Sequence, residues 1–177
     1  MRKFAIALVV FALPFFGISQ SVFERFEDSD RIGTVSISKG MLTLIAEMTE
    51  EHGDKESQDF VDIAKNIDGI KVYMSDDEGA SADMQATMKT YIKKSRLEEL
   101  MKIKDGDTNL RFYIKNGKDD NHVEELLMLA TGLEEDNRKH DVETVLVTMT
   151  GDIDLTKVGS LTEKMNLPKH LKKAKRN

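Results

Sequence analysis

Two closely spaced carboxylate pairs, Asp76 with Asp77 and Asp152 with Asp154, have the residue types that acid–base chemistry uses. Two carboxyls held at different pKa values serve as acid and base in hydrolysis, provided that they converge in one pocket. At Asp152 and Asp154 a plainer role accounts for both, because negative charge beside a helix N-terminus stabilises by about 0.3–1 kcal/mol. The four histidines, His52, His122, His140 and His170, stand singly, with no i, i+4 pair and no HExxH string. His122 with Glu124 and Glu125 comes nearest to a metal-ligand set, and an exposed strand entrance is the preferred reading there. Asp105-Gly106-Asp107-Thr108-Asn109 alternates oxygen ligands around a glycine, as a calcium loop does. Its twelfth position is Asn116, which offers no bidentate carboxylate, and Asp-Gly between alternating segments is what a hairpin turn requires. The methionines beyond Met1, among them Met48, Met74, Met88, Met101 and Met149, recur singly, a spacing that fits core packing better than a soft-metal cluster. There is no G-x-S-x-G, Walker or dinucleotide string. Cysteine is absent, which excludes disulfides, thiolate catalysis, Cys-ligated zinc, iron–sulfur clusters and a lipid-modified N-terminal cysteine. No catalytic, cofactor-binding or metal-binding residue is assigned, and no cofactor is expected.

The elements that must position these groups follow from periodicity. Thr34 to Ser38 alternates Val35 and Ile37 with hydroxyl residues and reads as a strand. Met41, Leu44, Ile45 and Met48 then share one helical face, and after a break at His52-Gly53-Asp54 a second helix, capped by Ser57, gathers Phe60, Ile63, Ala64 and Ile67. Past Gly69, Ile70, Val72 and Met74 alternate along a strand, and this strand–helix pair–strand order reads as one right-handed parallel crossover. Ser81 is placed as the cap of a helix burying Met84, Met88, Tyr91 and Ile92. A hairpin follows, Met101 and Ile103 against Leu110, Phe112 and Ile114, then strands over Glu125 to Thr131 and Val142 to Thr150. Gly151 closes the last strand, and Asp154 caps a terminal helix carrying Leu155, Val158, Leu161 and Met165. The expected fold is α+β: a mixed, largely antiparallel sheet of about six strands with helices layered on one face.

The first twenty residues read as a cleaved secretory signal peptide. Arg2 and Lys3 precede an uncharged run from Phe4 to Phe16, long enough for the ~7–15-residue apolar region of a signal and too short for the ~20 helical residues of a bilayer span. Gly17-Ile18-Ser19 sets small residues for cleavage after Ser19, with cutting after Gln20 the near alternative. Residues 21–168 then form a single domain and 169–177 a basic, disordered tail. Loss of Arg2 and Lys3 moves the formal charge from −6 to −8. An acidic exported domain has neither the surface nor the compartment for nucleic acid. The expectation is a soluble periplasmic or extracellular protein with no transmembrane segment in the mature chain and, lacking cysteine, not a lipoprotein.

The strings TVSISKGMLTLIAEM, IDGIKVYMSDD, EELMKIKDGDTNLRFYIKNG and VLVTMTGDIDLTKVGSL, with their order of elements, carry a resemblance. Over about Phe23 to Leu167 the chain resembles the exported domain of unknown function 4252 family of Gram-negative bacteria. The resemblance implies an envelope protein without a catalytic signature, and a place near the envelope stress response. No functional residue carries over from it, and the lipoprotein cysteine of some relatives is missing here. The functional expectation is an exported, non-enzymatic binding or envelope-response protein whose partner is an envelope protein or ligand. Its contact region is the open sheet face with loops Asp76 to Gly79 and Gly132 to Asp141, Glu134, Glu135 and Asp136 included, a face that also leaves room for a homodimer. The rival readings are a hydrolase using paired loop carboxylates and a metal-handling protein.

Overall fold

The alternation of Val35 and Ile37 with Thr34, Ser36 and Ser38 builds β1 (Gly33–Ser38), and the change of period at Lys39 starts α1 (Lys39–Glu50). A second helix, α2 (Lys55–Asn66), packs against α1 and leads into β2 (Ile67–Ser75). The computed structural model describes residues 22–50, 55–133 and 142–157. β1 and β2 pair antiparallel, Gly33 opposite Met74 and Ser38 opposite Gly69. The expected parallel crossover is therefore corrected, for a simple geometric reason. One helix returns a chain to the end of the sheet where the first strand began, whereas two helices joined by a short connection cancel each other's travel. β2 thus begins where β1 ends. The strand begins at Ile67, before Gly69, and Ser57 lies inside the first turns of α2 rather than ahead of it.

α3 (Glu78–Ser95) is capped by Asp77, whose carboxylate accepts from the Ala80 N–H at 2.7 Å, and it ends on Arg96 with φ of 54°. Ser81 is buried within its first turn, so the expected cap is displaced by one turn toward the chain start. β3 (Glu98–Asp105) and β4 (Thr108–Asn116) form the expected hairpin, with Gly106 at φ 58° in the turn. β5 (His122–Thr131) and β6 (Thr144–Asp154) complete a six-stranded sheet of order β1-β2-β6-β5-β4-β3, antiparallel throughout. β6 runs past the expected stop at Gly151. That glycine has φ of 141°, and a Cβ on it would stand 2.3 Å from the Asn66 carbonyl oxygen, so it is the place where β2 starts across β6. Residues beyond 157, including the rest of the expected terminal helix and the basic tail, lie outside the described residues.

The α+β class and the six-stranded sheet are as read from the sequence, but the helices cover both faces. On one face Leu42 and Ala46 of α1 and Phe60, Ile63 and Ala64 of α2 pack with Ile70, Leu126, Met128, Val147 and Met149. On the other, Met84, Met88 and Tyr91 of α3 pack with Phe23, Phe26, Tyr73, Leu127 and Leu146. Consecutive residues of β5 and β6 alternate between these two cores, as the period of two demands. Phe23 stands edge-on to Tyr91 at 5.0 Å and Phe26 to Tyr73 at 5.6 Å, which ties the lead-in segment to the sheet. Met41, Leu44 and Met48, expected inside, are 51%, 51% and 67% exposed, and Met101 is exposed at the β3 edge. α1 is apolar around most of its circumference, so periodicity alone does not say which arc meets the sheet.

Candidate functional site

On the face covered by α3, one row of the sheet runs Ser38 (β1), Gly69 (β2), Thr150 (β6) and Glu125 (β5), each opposite the next across the ladders. A neighbouring row runs Ser36, Lys71, Thr148 and Leu127. Apart from the buried Leu127, these rows floor a cleft of about 290 Å³ that Phe23, Tyr73 and Met41 help to wall. Its depth has a local cause. Position 69 carries no side chain in a row where every neighbour carries one, and a Cβ added there would meet only the Ile37 carbonyl oxygen, at 3.5 Å. Gly151 is required by its backbone, whereas Gly69 leaves space.

Three register shifts lie at this end of the sheet, between Ile67 and Gly69, between Val123 and Glu125, and between Lys115 and Asn116. Each re-aims a side chain. Val123 belongs to the core under α1 and α2, and without the shift Glu125 would point to that same face. Instead it lies on the α3 side, 4% exposed, and accepts the Tyr91 hydroxyl at 2.8 and 3.0 Å on its two oxygens. Burial pushes the Glu125 carboxyl above its ordinary range, the Tyr91 hydroxyl and the charge of Lys115 pull it back, and Glu124 adds a small rise. Lys115, opposite Glu125 on β4, gives its ammonium to Glu124 at 2.8 Å. The other charged groups at the cleft are paired: Asp68 with Lys39 at 2.9 Å and Lys71 with Glu27 at 2.7 Å. Glu27 also accepts the Tyr73 hydroxyl at 3.3 Å, and burial, with Glu27 beside it, raises that phenol so that it stays protonated. Beside Glu125, the Thr150 hydroxyl is buried without a hydrogen-bond partner. Thr34, Ser81 and Thr144 share that condition, with Thr34 opposite Tyr73 and Thr144 opposite Ser75, toward the other end of the strands.

The acids singled out by sequence do not converge. Asp77 caps α3 and pairs with Arg31 at 3.0 Å, at the Ser75 end of β2. Asp152 pairs with Lys118 at 2.6 Å near the far end of β6, about 25 Å away by strand rise. Asp154 accepts from the backbone and hydroxyl of Thr156, which hold its carboxyl below the ordinary range. The geometry that the hydrolase reading needs is thus not met. His122 donates its Nδ1–H to the Asp119 carboxylate, 2.7 Å away, while Glu124 turns to Lys115 and Glu125 to Tyr91, so that trio is separated as well. No group of three ligating side chains suited to a metal occurs among the described residues. His52, His140, His170 and the acids Glu134, Glu135 and Asp136 lie outside them.

Reading the sequence weighed Glu125 only as a metal ligand beside His122 and Gly69 only as a strand boundary, and gave neither its place in a cleft. Glu125 sits among other charges, and only the register shift at Glu124, invisible to periodicity, turns it inward. No described helix is long and apolar enough to cross a membrane. Comparison with curated proteins and with solved structures returns no match. A family model does match, over residues 26–161, a span that takes in all six strands and every cleft residue except Phe23; the chain belongs to the family described as Domain of unknown function (DUF4252).

Proposed function

We propose that this chain is an exported, non-enzymatic binding protein of the bacterial envelope, and that its ligand sits in the cleft over Gly69. The cleft itself carries the reading: a glycine-floored opening of about 290 Å³ ends on a buried carboxyl and a buried free hydroxyl. That size lies at the lower end of small-molecule sites, and a few convergent polar groups in a largely apolar wall are what such sites present. The groups lining it are hydroxyls, Lys71, Asp68 and Glu125, an arrangement suited to holding a molecule by hydrogen bonds. The basic start and short apolar run of residues 1–20 support export, and the hint of an envelope response comes from the family resemblance.

Gly69→Leu tests the cleft directly, because it fills the floor where the backbone leaves room. The natural mature chain, incubated with a small-molecule extract of bacterial envelopes, is expected to retain a component in native mass spectrometry that the leucine variant does not. Equal retention by both proteins rejects the cleft. For export, N-terminal sequencing of the protein recovered from the periplasm of a Gram-negative host is expected to begin at Gln20 or Ser21. Recovery of chains starting at Met1 from the cytosol rejects that part.

A further inference from the structure

We propose that the cleft over Gly69 takes a small organic ammonium compound, its cationic head meeting Glu125 and the Thr150 hydroxyl and its apolar body lying against Met41. This rests on the cleft reading above and adds the chemical class of the ligand. Three observations choose the class. Among the described residues, the other carboxylate lining the cleft, Asp68, holds the Lys39 ammonium at 2.9 Å, and the cleft's Lys71 is held by Glu27 at 2.7 Å. Glu125 is the more enclosed of the two lining carboxylates and, among the described residues, is hydrogen-bonded by the Tyr91 hydroxyl alone, the Lys115 ammonium acting on it only from its pair with Glu124. A buried carboxylate with a neutral donor and no ion partner bears an uncompensated desolvation cost, which an arriving cation offsets.

The second observation is the Thr150 oxygen. It is buried, unpartnered, and directly across the ladder from Glu125, so it offers an acceptor to a second N–H of the same head group. The third is the wall. Met41, 51% exposed, lines the cleft with apolar surface, which suits an apolar body behind the cationic head. An anionic ligand would meet Glu125 with like charge. A neutral alcohol would fit the space and hydrogen-bond, but would leave the charge uncompensated.

The probe is 2-phenylethylammonium, compared with its neutral isostere 2-phenylethanol and with 3-phenylpropionate, by isothermal titration on the mature chain. Expected is binding of the ammonium at least tenfold tighter than the alcohol, with no binding of the carboxylate. Glu125→Gln retains an oxygen for Tyr91 and removes the charge, and is expected to weaken the ammonium at least tenfold more than it weakens the alcohol. Gly69→Leu is expected to abolish both. Equal affinity for ammonium and alcohol, or ammonium binding unaltered in Glu125→Gln, overturns the ammonium class while leaving the cleft in place if Gly69→Leu still abolishes binding. Ammonium binding that survives Gly69→Leu overturns the site. No binding of the ammonium by the natural chain overturns the class, and the extract experiment with Gly69→Leu then judges the cleft separately. Circular dichroism of both variants separates loss of a ligand from loss of fold.

Discussion

At the scale of single residues, the carboxyl of Glu125 and the two glycines make opposite predictions. Because burial raises Glu125 in the folded state, folding binds its proton more tightly than the unfolded chain does. Its contribution is therefore largest below the ordinary glutamate range and is lost as pH rises through the raised folded value. The groups facing it are the Tyr91 hydroxyl from α3, Lys115 from β4 and Glu124 on its own strand. In urea titrations, Glu125→Gln is expected to be more stable than the natural chain at neutral pH and equal to it near pH ~3, below the unperturbed glutamate value. A gap that widens toward acid pH contradicts the assignment. Gly151→Ala is expected to lose about 2 kcal/mol or more, since alanine is strained at φ 141° and its Cβ overlaps the Asn66 carbonyl. Gly69→Ala is expected to stay within about 0.5 kcal/mol of the natural chain or to gain slightly. A large loss at Gly69 would mean that its backbone, not the space above it, requires glycine.

The elements show which physical signals survive in a one-dimensional string. Hairpin chemistry does: Asp105-Gly106 between alternating segments marked the β3–β4 turn, and Gly106 has the positive φ that such a turn uses. Helix existence survives too, as Met84, Met88 and Tyr91 sit on the buried face of α3 where their spacing puts them. Strand direction was misread although the helix pair that sets it was legible, because two helices in series bring the chain back antiparallel to β1 rather than across in parallel. The two-sided covering of the sheet was in fact written in Leu126-Leu127-Met128-Leu129-Ala130, an unbroken apolar run of the kind that strands buried on both faces display. The cap of α3 offers a check at this scale. Asp77→Ala is expected to cost about 1 kcal/mol, and Asp77→Asn to recover most of it, because the cap needs an oxygen for the Ala80 N–H and the exposed pair with Arg31 adds little. Equal losses in both variants would shift the weight to the ion pair.

For the whole molecule, the candidate site was illegible for a reason of scale: its row draws one residue from each of four strands, and the residue that matters most is turned inward by a register shift. The sheet order has a further consequence. β6 (Thr144–Asp154), the last of the described strands in chain order, lies between β2 and β5 and is hydrogen-bonded to both, so the middle of the sheet is missing until the other five described strands have been made. Pairings between distant segments form slowly and cannot be nucleated locally. A chain ending at Glu143 is expected to lack cooperative urea unfolding, and a native-like transition in that fragment would show that the remaining strands suffice. Until residues 144–154 are made, the other five described strands form two groups with a gap between them, and a nascent polypeptide in that state has no closed sheet to resist being pulled straight.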